Sequence, residues 1–177
     1  MRTFFALDLP AQLKLDIDSW RSKTLPPMPS SVPAANFHIT LSFNGKTSEA
    51  QLDKLQQGAE AIKSPVFQVS LNNMGYFAKP GIAFVGMEET PTELLALHQK
   101  LQQLSQRCGL QVEKQTYCPH VTLFRNAPSL PAPLLEPRFN FNAERFGLYE
   151  SITRKSGVIY QPIFEWELER SYRPRAI

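Results

Sequence analysis

Two four-residue segments of the same pattern constrain this chain more than any other feature. They are His38-Ile39-Thr40-Leu41 and His120-Val121-Thr122-Leu123. Polar and apolar residues alternate in both, which predicts β-strands whose imidazole and hydroxyl groups point to the same side of a sheet. One copy alone would be weak evidence, because a strand histidine is usually an ordinary surface or packed residue. Two copies indicate a fold that brings four polar side chains to one cleft.

The rest of the sequence alternates between strand patterns and amphipathic helix patterns. Three helices are predicted: one over about 10–23, one from the capping-box pair Ser48 and Gln51 to about 63, and one begun by Thr90 as N-cap and closed by Gly109. Short runs of apolar and β-branched residues predict strands at 2–8, 36–44, 66–71, 75–77, 82–86, 119–125, 138–142, 145–152, 157–161 and 163–170.

This order of elements predicts an α+β fold with largely antiparallel sheets. A length of 177 residues with 42% hydrophobic residues fits one compact domain over 1–177. In the strand of the first motif, strict alternation places Phe37, Ile39, Leu41 and Phe43 on the core face, and His38, Thr40, Ser42 and Asn44 on the opposite face.

The composition restricts location and partners only loosely. The net charge of +3 is compatible with a phosphate-bearing substrate without demanding one. The apolar run near the N-terminus is too short for a signal peptide, and no run approaches the roughly 20 apolar residues of a membrane span. We therefore expect a cytoplasmic protein without membrane contact, with Cys108 and Cys118 as plain thiols.

The paired motifs carry the residues needed for acid–base chemistry. An imidazole titrates near pH ~6.5, so of two histidines in one site one can be neutral and the other protonated at neutral pH. One can then remove a proton while the other donates one. Thr40 and Thr122 would donate hydrogen bonds to phosphate oxygens. Two histidines and two threonines without carboxylates are a poor metal cage, so we expect no metal and no cofactor.

These residues resemble the 2H phosphoesterase superfamily, and within it the bacterial RNA 2′,3′-cyclic phosphodiesterases, also known as 2′-5′ RNA ligases. The resemblance covers almost the whole chain and rests on RTFFALDLP at 2–10, NFHITLSF at 36–43, PHVTLFR at 119–125 and YQPIFEWEL at 160–168. It implies a bilobal fold, with two pseudo-symmetric antiparallel sheets lining a central groove and helices outside. It also implies hydrolysis of RNA 2′,3′-cyclic phosphate ends to 2′-phosphomonoesters, with reversible 2′-5′ RNA joining in vitro.

The resemblance also implies roles for individual residues. His38 would be the proton donor to the leaving 3′ oxygen, and His120 the proton acceptor that activates water. Arg125 would contact phosphate or nucleotide, although strand alternation points it away from His120 unless the strand ends or bulges at Phe124. Phe5 would either stack on a base or pack in the core.

Several alternatives stay open at the level of the sequence. The substrate could be a small cyclic phosphate instead of RNA ends such as those of tRNA fragments, and the fold could serve RNA binding alone. RNA ligation would have to reverse the hydrolytic chemistry, since no triphosphate-binding loop is present. A monomer is the default. His98 is expected to be solvent-facing and idle, and Arg170, Arg173 and Arg175 to form a solvated tail.

Overall fold

A computed structural model describes residues 1–170, so Arg173 and Arg175 lie outside the described residues. The three predicted helices and the two motif strands are confirmed, and the predicted strands at 157–161 and 163–170 are one long strand. The helices are α1 (Ala11–Thr24), α2 (Glu49–Glu60) and α3 (Thr92–Arg107). The strands are β1 (Arg2–Asp8), β2 (His38–Lys46), β3 (Phe67–Leu71), β4 (Asn73–Phe77), β5 (Ile82–Gly86), β6 (His120–Phe124), β7 (Phe139–Ala143), β8 (Arg145–Arg154) and β9 (Gly157–Glu167).

The helix ends follow local chemistry, with one correction. Ser48 and Gln51 form both hydrogen bonds of the capping box at the start of α2. The predicted N-cap Thr90 is wrong: Pro91 has extended backbone angles and is itself the N-cap of α3, without a side-chain cap. Gly109 adopts a φ of +80° after α3 and donates its N–H to Gln106 at 3.0 Å, which ends the helix as predicted.

The strands form three sheets, where two were expected. The first sheet has the order β2-β1-β8-β9, the second the order β4-β5-β6, and β3 pairs with β7 alone. All these pairings are antiparallel. His38 lies in the first sheet and His120 in the second, so each motif belongs to a different layer, while α3 packs against β2. No helix within residues 1–170 is long and apolar enough to cross a membrane.

Both motif strands contain a β-bulge at the leucine of the motif. Ala6 and Phe5 of β1 pair with Thr40 and Ser42, which leaves Leu41 as the extra residue. In the second sheet, adjacent residues of β5 pair with Thr122 and Phe124, which leaves Leu123 extra. The two copies therefore share a backbone irregularity as well as a sequence.

The first bulge overturns the expected alternation beyond Leu41. An extra residue exchanges the two faces of the strand that follows it. Ser42 and Asn44 are consequently buried, whereas Phe43 is 51% exposed. The buried amide of Asn44 is satisfied by hydrogen bonds with Ser105 and Thr3. A polar network from α3 to β1 thus accommodates the change of face.

Arg21 on α1 is a buried cation that anchors the second bulge. Its guanidinium is close to fully buried and donates to the carbonyl oxygens of Val32, at 2.8 Å, and Leu123, at 2.7 Å. It also bonds to the carboxylate of Asp18 and lies 4.9 Å from the ring centre of Phe37. Charged donors to carbonyl groups and cation–π contacts both stabilise a buried guanidinium. The helix thereby fixes β6 to the loop that precedes β2.

Replacing Arg21 with methionine is expected to lower the free energy of unfolding by roughly 2–4 kcal/mol, because three charge-assisted hydrogen bonds are lost, two of them to backbone carbonyl groups. Urea unfolding followed by circular dichroism measures the change. The control is Arg107→Met, since Arg107 is an exposed arginine in the last turn of α3. Equal effects of the two substitutions would contradict the anchoring role.

Candidate active site

The two motif histidines are held in the same way. Nδ1 of His38 lies 2.7 Å from the carbonyl oxygen of Asn36, and Nδ1 of His120 lies 2.7 Å from that of Cys118. A carbonyl can only accept, so Nδ1 carries the proton in each neutral ring and Nε2 is the nitrogen that can accept a hydrogen bond or a proton. In the first motif Nε2 lies 2.9 Å from the hydroxyl oxygen of Thr40.

The two imidazoles share one electrostatic environment. Burial is the largest cause that lowers the pKa of His38, to about 4, and the charges of His120 and Arg125 lower it further. Burial also lowers the pKa of His120, again with a contribution from Arg125. Backbone hydrogen bonds oppose both shifts. Both rings are therefore mostly neutral in the free protein at neutral pH, in contrast to the expected pair of one neutral and one protonated ring.

Each imidazole packs between two aromatic rings. His38 lies 5.1 Å from the ring centre of Phe4 and 4.9 Å from that of Tyr160. The surroundings of His120 are similar, with Phe77 at 5.3 Å and Phe84 at 4.8 Å. These rings exclude water from one side of each histidine, which accounts for the effect of burial on the pKa.

Phe5 does not belong to this site, so the expectation that it contacts substrate is wrong. Its side chain is fully buried and packs against Phe146 and Trp166, which leaves no ring face for a base. The neighbouring Phe4 points to the opposite side of β1, towards His38. Of the two alternatives left open for Phe5, packing in the core is the one the structure confirms.

Arg125 reaches the site despite the objection from strand alternation. The bulge at Leu123 shifts the alternation by one residue, and β6 ends at Phe124, whose side chain is buried. Arg125 therefore returns to the side of His120, where its charge affects the pKa of both histidines. Its Nη2 lies 3.5 Å from the hydroxyl oxygen of Tyr160.

His98 and Tyr117 form hydrogen bonds with backbone carbonyl groups of the first motif. Nδ1 of His98 lies 2.6 Å from the carbonyl oxygen of Leu41, and the hydroxyl of Tyr117 donates to the carbonyl oxygen of Thr40 at 2.7 Å. The two rings stack at 3.8 Å with an interplanar angle of 4°. His98 is thus half-buried and engaged, which corrects the expectation of an idle surface residue. Burial raises the pKa of Tyr117, which keeps its hydroxyl protonated as a donor.

A cavity of about 110 Å³ opens beside His38, lined by Phe4, Tyr149 and Tyr160 and edged by the carboxylates of Asp8 and Glu165. Within residues 1–170, no three His, Cys, Asp or Glu side chains come together as a metal cage would require. The site therefore offers imidazole, hydroxyl and guanidinium groups, a set suited to proton transfer on an anionic phosphoester.

The pKa shifts predict a specific titration. In proton NMR, the imidazole of His38 is expected to titrate near pH 4 and that of His120 below the ordinary value of 6.5, because burial favours the neutral ring. An anion bound between them favours the charged form, so inorganic phosphate is expected to raise both midpoints. Midpoints near 6.5 that do not respond to phosphate would contradict this description of the site.

Comparisons with known proteins identify the family of this chain. The sequence model of the 2′-5′ RNA ligase superfamily matches residues 9–152. The RNA 2′,3′-cyclic phosphodiesterase of Escherichia coli K12 is 32% identical over 94% of this chain and 96% of its own length. The protein of the same name from Aeropyrum pernix is 30% identical over 81% of this chain and 88% of its own.

Solved structures show the same fold. The crystal structure of E. coli LigT complexed with 3′-AMP superposes with a TM-score of 0.88 at 31% identity, covering 94% of this chain and 97% of that one. The structure of TT0787 from Thermus thermophilus has a TM-score of 0.82 at 24% identity, over 97% and 100% of the two chains, and supports the fold alone. The matched family model and the similarity along nearly the whole chain lead to one conclusion: this chain belongs to the 2′-5′ RNA ligase superfamily.

Proposed function

We propose that this protein hydrolyses RNA 2′,3′-cyclic phosphodiester ends to 2′-phosphomonoesters by acid–base catalysis with His38 and His120. The observation that carries the proposal is the matched pair of imidazoles, each with Nδ1 bonded to a backbone carbonyl, which makes Nε2 the nitrogen that can transfer a proton once the hydroxyl of Thr40 exchanges its bond with His38 for one to the phosphate. The names of the relatives from E. coli and A. pernix support the choice of RNA cyclic phosphate as the substrate.

In the proposed reaction, Nε2 of His120 takes a proton from water, whose oxygen forms a new bond to phosphorus. The bond from phosphorus to the 3′ oxygen breaks, and His38 gives that oxygen its proton, leaving the phosphate on the 2′ oxygen. Each such proton transfer contributes typically ~10²–10⁴-fold to the rate. His38 has a pKa of about 4 in the free protein, so its protonation depends on the negative charge of the bound phosphate. The order of the two roles rests on the family resemblance.

The remaining polar groups of the site would bind the phosphate. The hydroxyls of Thr40 and Thr122 and the guanidinium of Arg125 would donate to its non-bridging oxygens, where charge develops in the transition state. No step requires a metal ion. Joining of RNA ends through a 2′-5′ bond would be the same chemistry with an RNA hydroxyl in place of water as the attacking group. In cleavage of that bond the same hydroxyl would leave.

We propose that the chain acts as a monomeric cytoplasmic enzyme of one domain.

Turnover of an RNA oligonucleotide with a 2′,3′-cyclic phosphate end, in the presence of EDTA, tests the proposal. We expect a 2′-phosphate product, and a loss of at least ~10²-fold in kcat for His38→Asn and for His120→Asn, since each removes one proton transfer. Thermal unfolding of both variants checks that the fold is kept. Loss of activity in EDTA, a 3′-phosphate product, or near wild-type rates in either variant would contradict the mechanism.

The hydrogen bond from Tyr117 is expected to affect catalysis more than stability. Tyr117→Phe removes the bond to the carbonyl of Thr40, so kcat should fall several-fold with a smaller change in KM, because the first motif loses its exact placement. The free energy of unfolding should fall by only about 1 kcal/mol. Tyr76→Phe is a matched control, since its hydroxyl donates to the carbonyl of Ala127 at the same distance of 2.7 Å. Equal effects on kcat would show that Tyr117 has no positioning role.

A further inference from the structure

A groove of about 520 Å³ lies along the far end of β2, opposite the segment 109–113 that follows α3. Two features relate this groove to the active site, one a series of ring contacts and the other the charge of a side chain. The ring of Phe43, which lines the groove, lies 6.2 Å from Phe4, and Phe4 in turn contacts His38. On the other wall, the charge of Glu113 acts on the pKa of His120. The mouth of the groove at Phe43 therefore lies two ring contacts away from His38.

Phe43 is the prominent apolar surface at the mouth of this groove. It is 51% exposed because the bulge at Leu41 turns it away from the core and onto the face of His38 and Thr40. An aromatic ring in that position offers a flat face on which a nucleobase can stack, a contact worth ~1–3 kcal/mol that tolerates any base. Arg125 occupies the matching place after the second motif, as the fifth residue beyond its histidine.

The other groups along the groove complement a nucleotide. Lys46 supplies a cation at the end of β2 for a backbone phosphate. The amide of Gln111 and the carboxylate of Glu113 supply hydrogen-bonding groups for base edges and ribose hydroxyls. The volume lies within the ~300–1,000 Å³ typical of small-molecule sites, so it suits one nucleotide unit better than a folded partner.

We propose that this groove binds the nucleotide that precedes the terminal, cyclic-phosphate nucleotide of an RNA strand, with its base stacked on Phe43 and its phosphate near Lys46. The inference rests on the proposed function and adds to it a second subsite, which makes the enzyme prefer a chain end to a free cyclic mononucleotide. The cyclic phosphate lies between the two histidines, and the strand leaves the site along β2.

The test compares kcat/KM for a cyclic mononucleotide with kcat/KM for a dinucleotide and a trinucleotide that end in the same 2′,3′-cyclic phosphate. We expect the wild-type protein to prefer the dinucleotide, and Phe43→Ala to reduce the ratio of dinucleotide to mononucleotide kcat/KM about tenfold, in line with the loss of one stacking contact. Phe43→Trp should restore the ratio, because it restores a stacking face. Lys46→Gln should weaken the dependence of dinucleotide binding on salt. Leu134→Ala is the control, since it removes an exposed apolar side chain outside the groove.

Three outcomes would overturn the subsite. The first is a wild-type ratio near one, and the second is a ratio that Phe43→Ala leaves unchanged. The third is an equal loss on mononucleotide and dinucleotide, which indicates damage to the catalytic site. In all three the proposed hydrolysis of RNA ends still stands as long as the wild-type protein turns over the dinucleotide and the trinucleotide. Failure of the wild-type protein on every cyclic phosphate would instead overturn the proposed function and the subsite together.

Discussion

The site depends on the backbone carbonyl groups of Leu41 and Leu123 and on the side chains that donate hydrogen bonds to them. Each belongs to the extra residue of a β-bulge, which interrupts the regular ladder, and the carbonyl of Leu123 also accepts from the backbone N–H of Val32 at 2.9 Å. His98 on α3 donates to the first carbonyl and Arg21 on α1 to the second, at 2.6 and 2.7 Å. The two helices therefore hold the two catalytic strands through equivalent contacts made by chemically different side chains, which fixes the register of both motifs.

This support bears on how neutral histidines would serve in the proposed acid–base chemistry. Rigid strands keep His38 and His120 against aromatic rings, and this burial disfavours their charged forms. The cost of charging an imidazole is then offset only when an anion enters between them. Substrate binding and protonation are coupled in such a site. His38 would therefore become a proton donor mainly when a phosphate is bound.

Sequence reasoning found the elements, the two motifs and the family, because these depend on periodicity and on residue types at short range. It did not find the bulge at Leu41, which reverses the faces of Phe43 and Asn44, and it named a strand end or bulge at Phe124 only as the condition for Arg125 to reach the site. A bulge changes the face of every later residue in a strand, yet leaves no signature in hydrophobic alternation. The partners Arg21 and His98 were also missed, since each contacts a backbone carbonyl whose position depends on the tertiary fold.

The two halves of the site are alike up to the bulge and differ just beyond it. Five residues after its histidine, the first motif carries Phe43 and the second carries Arg125. Both positions lie on the face of the histidines for the same geometric reason. One therefore presents an aromatic surface and the other a permanent cation at corresponding places in the fold. The proposed substrate is itself asymmetric, because its base lies on one side of the phosphate. It matches two motif strands that share a backbone bulge but carry different side chains just beyond it.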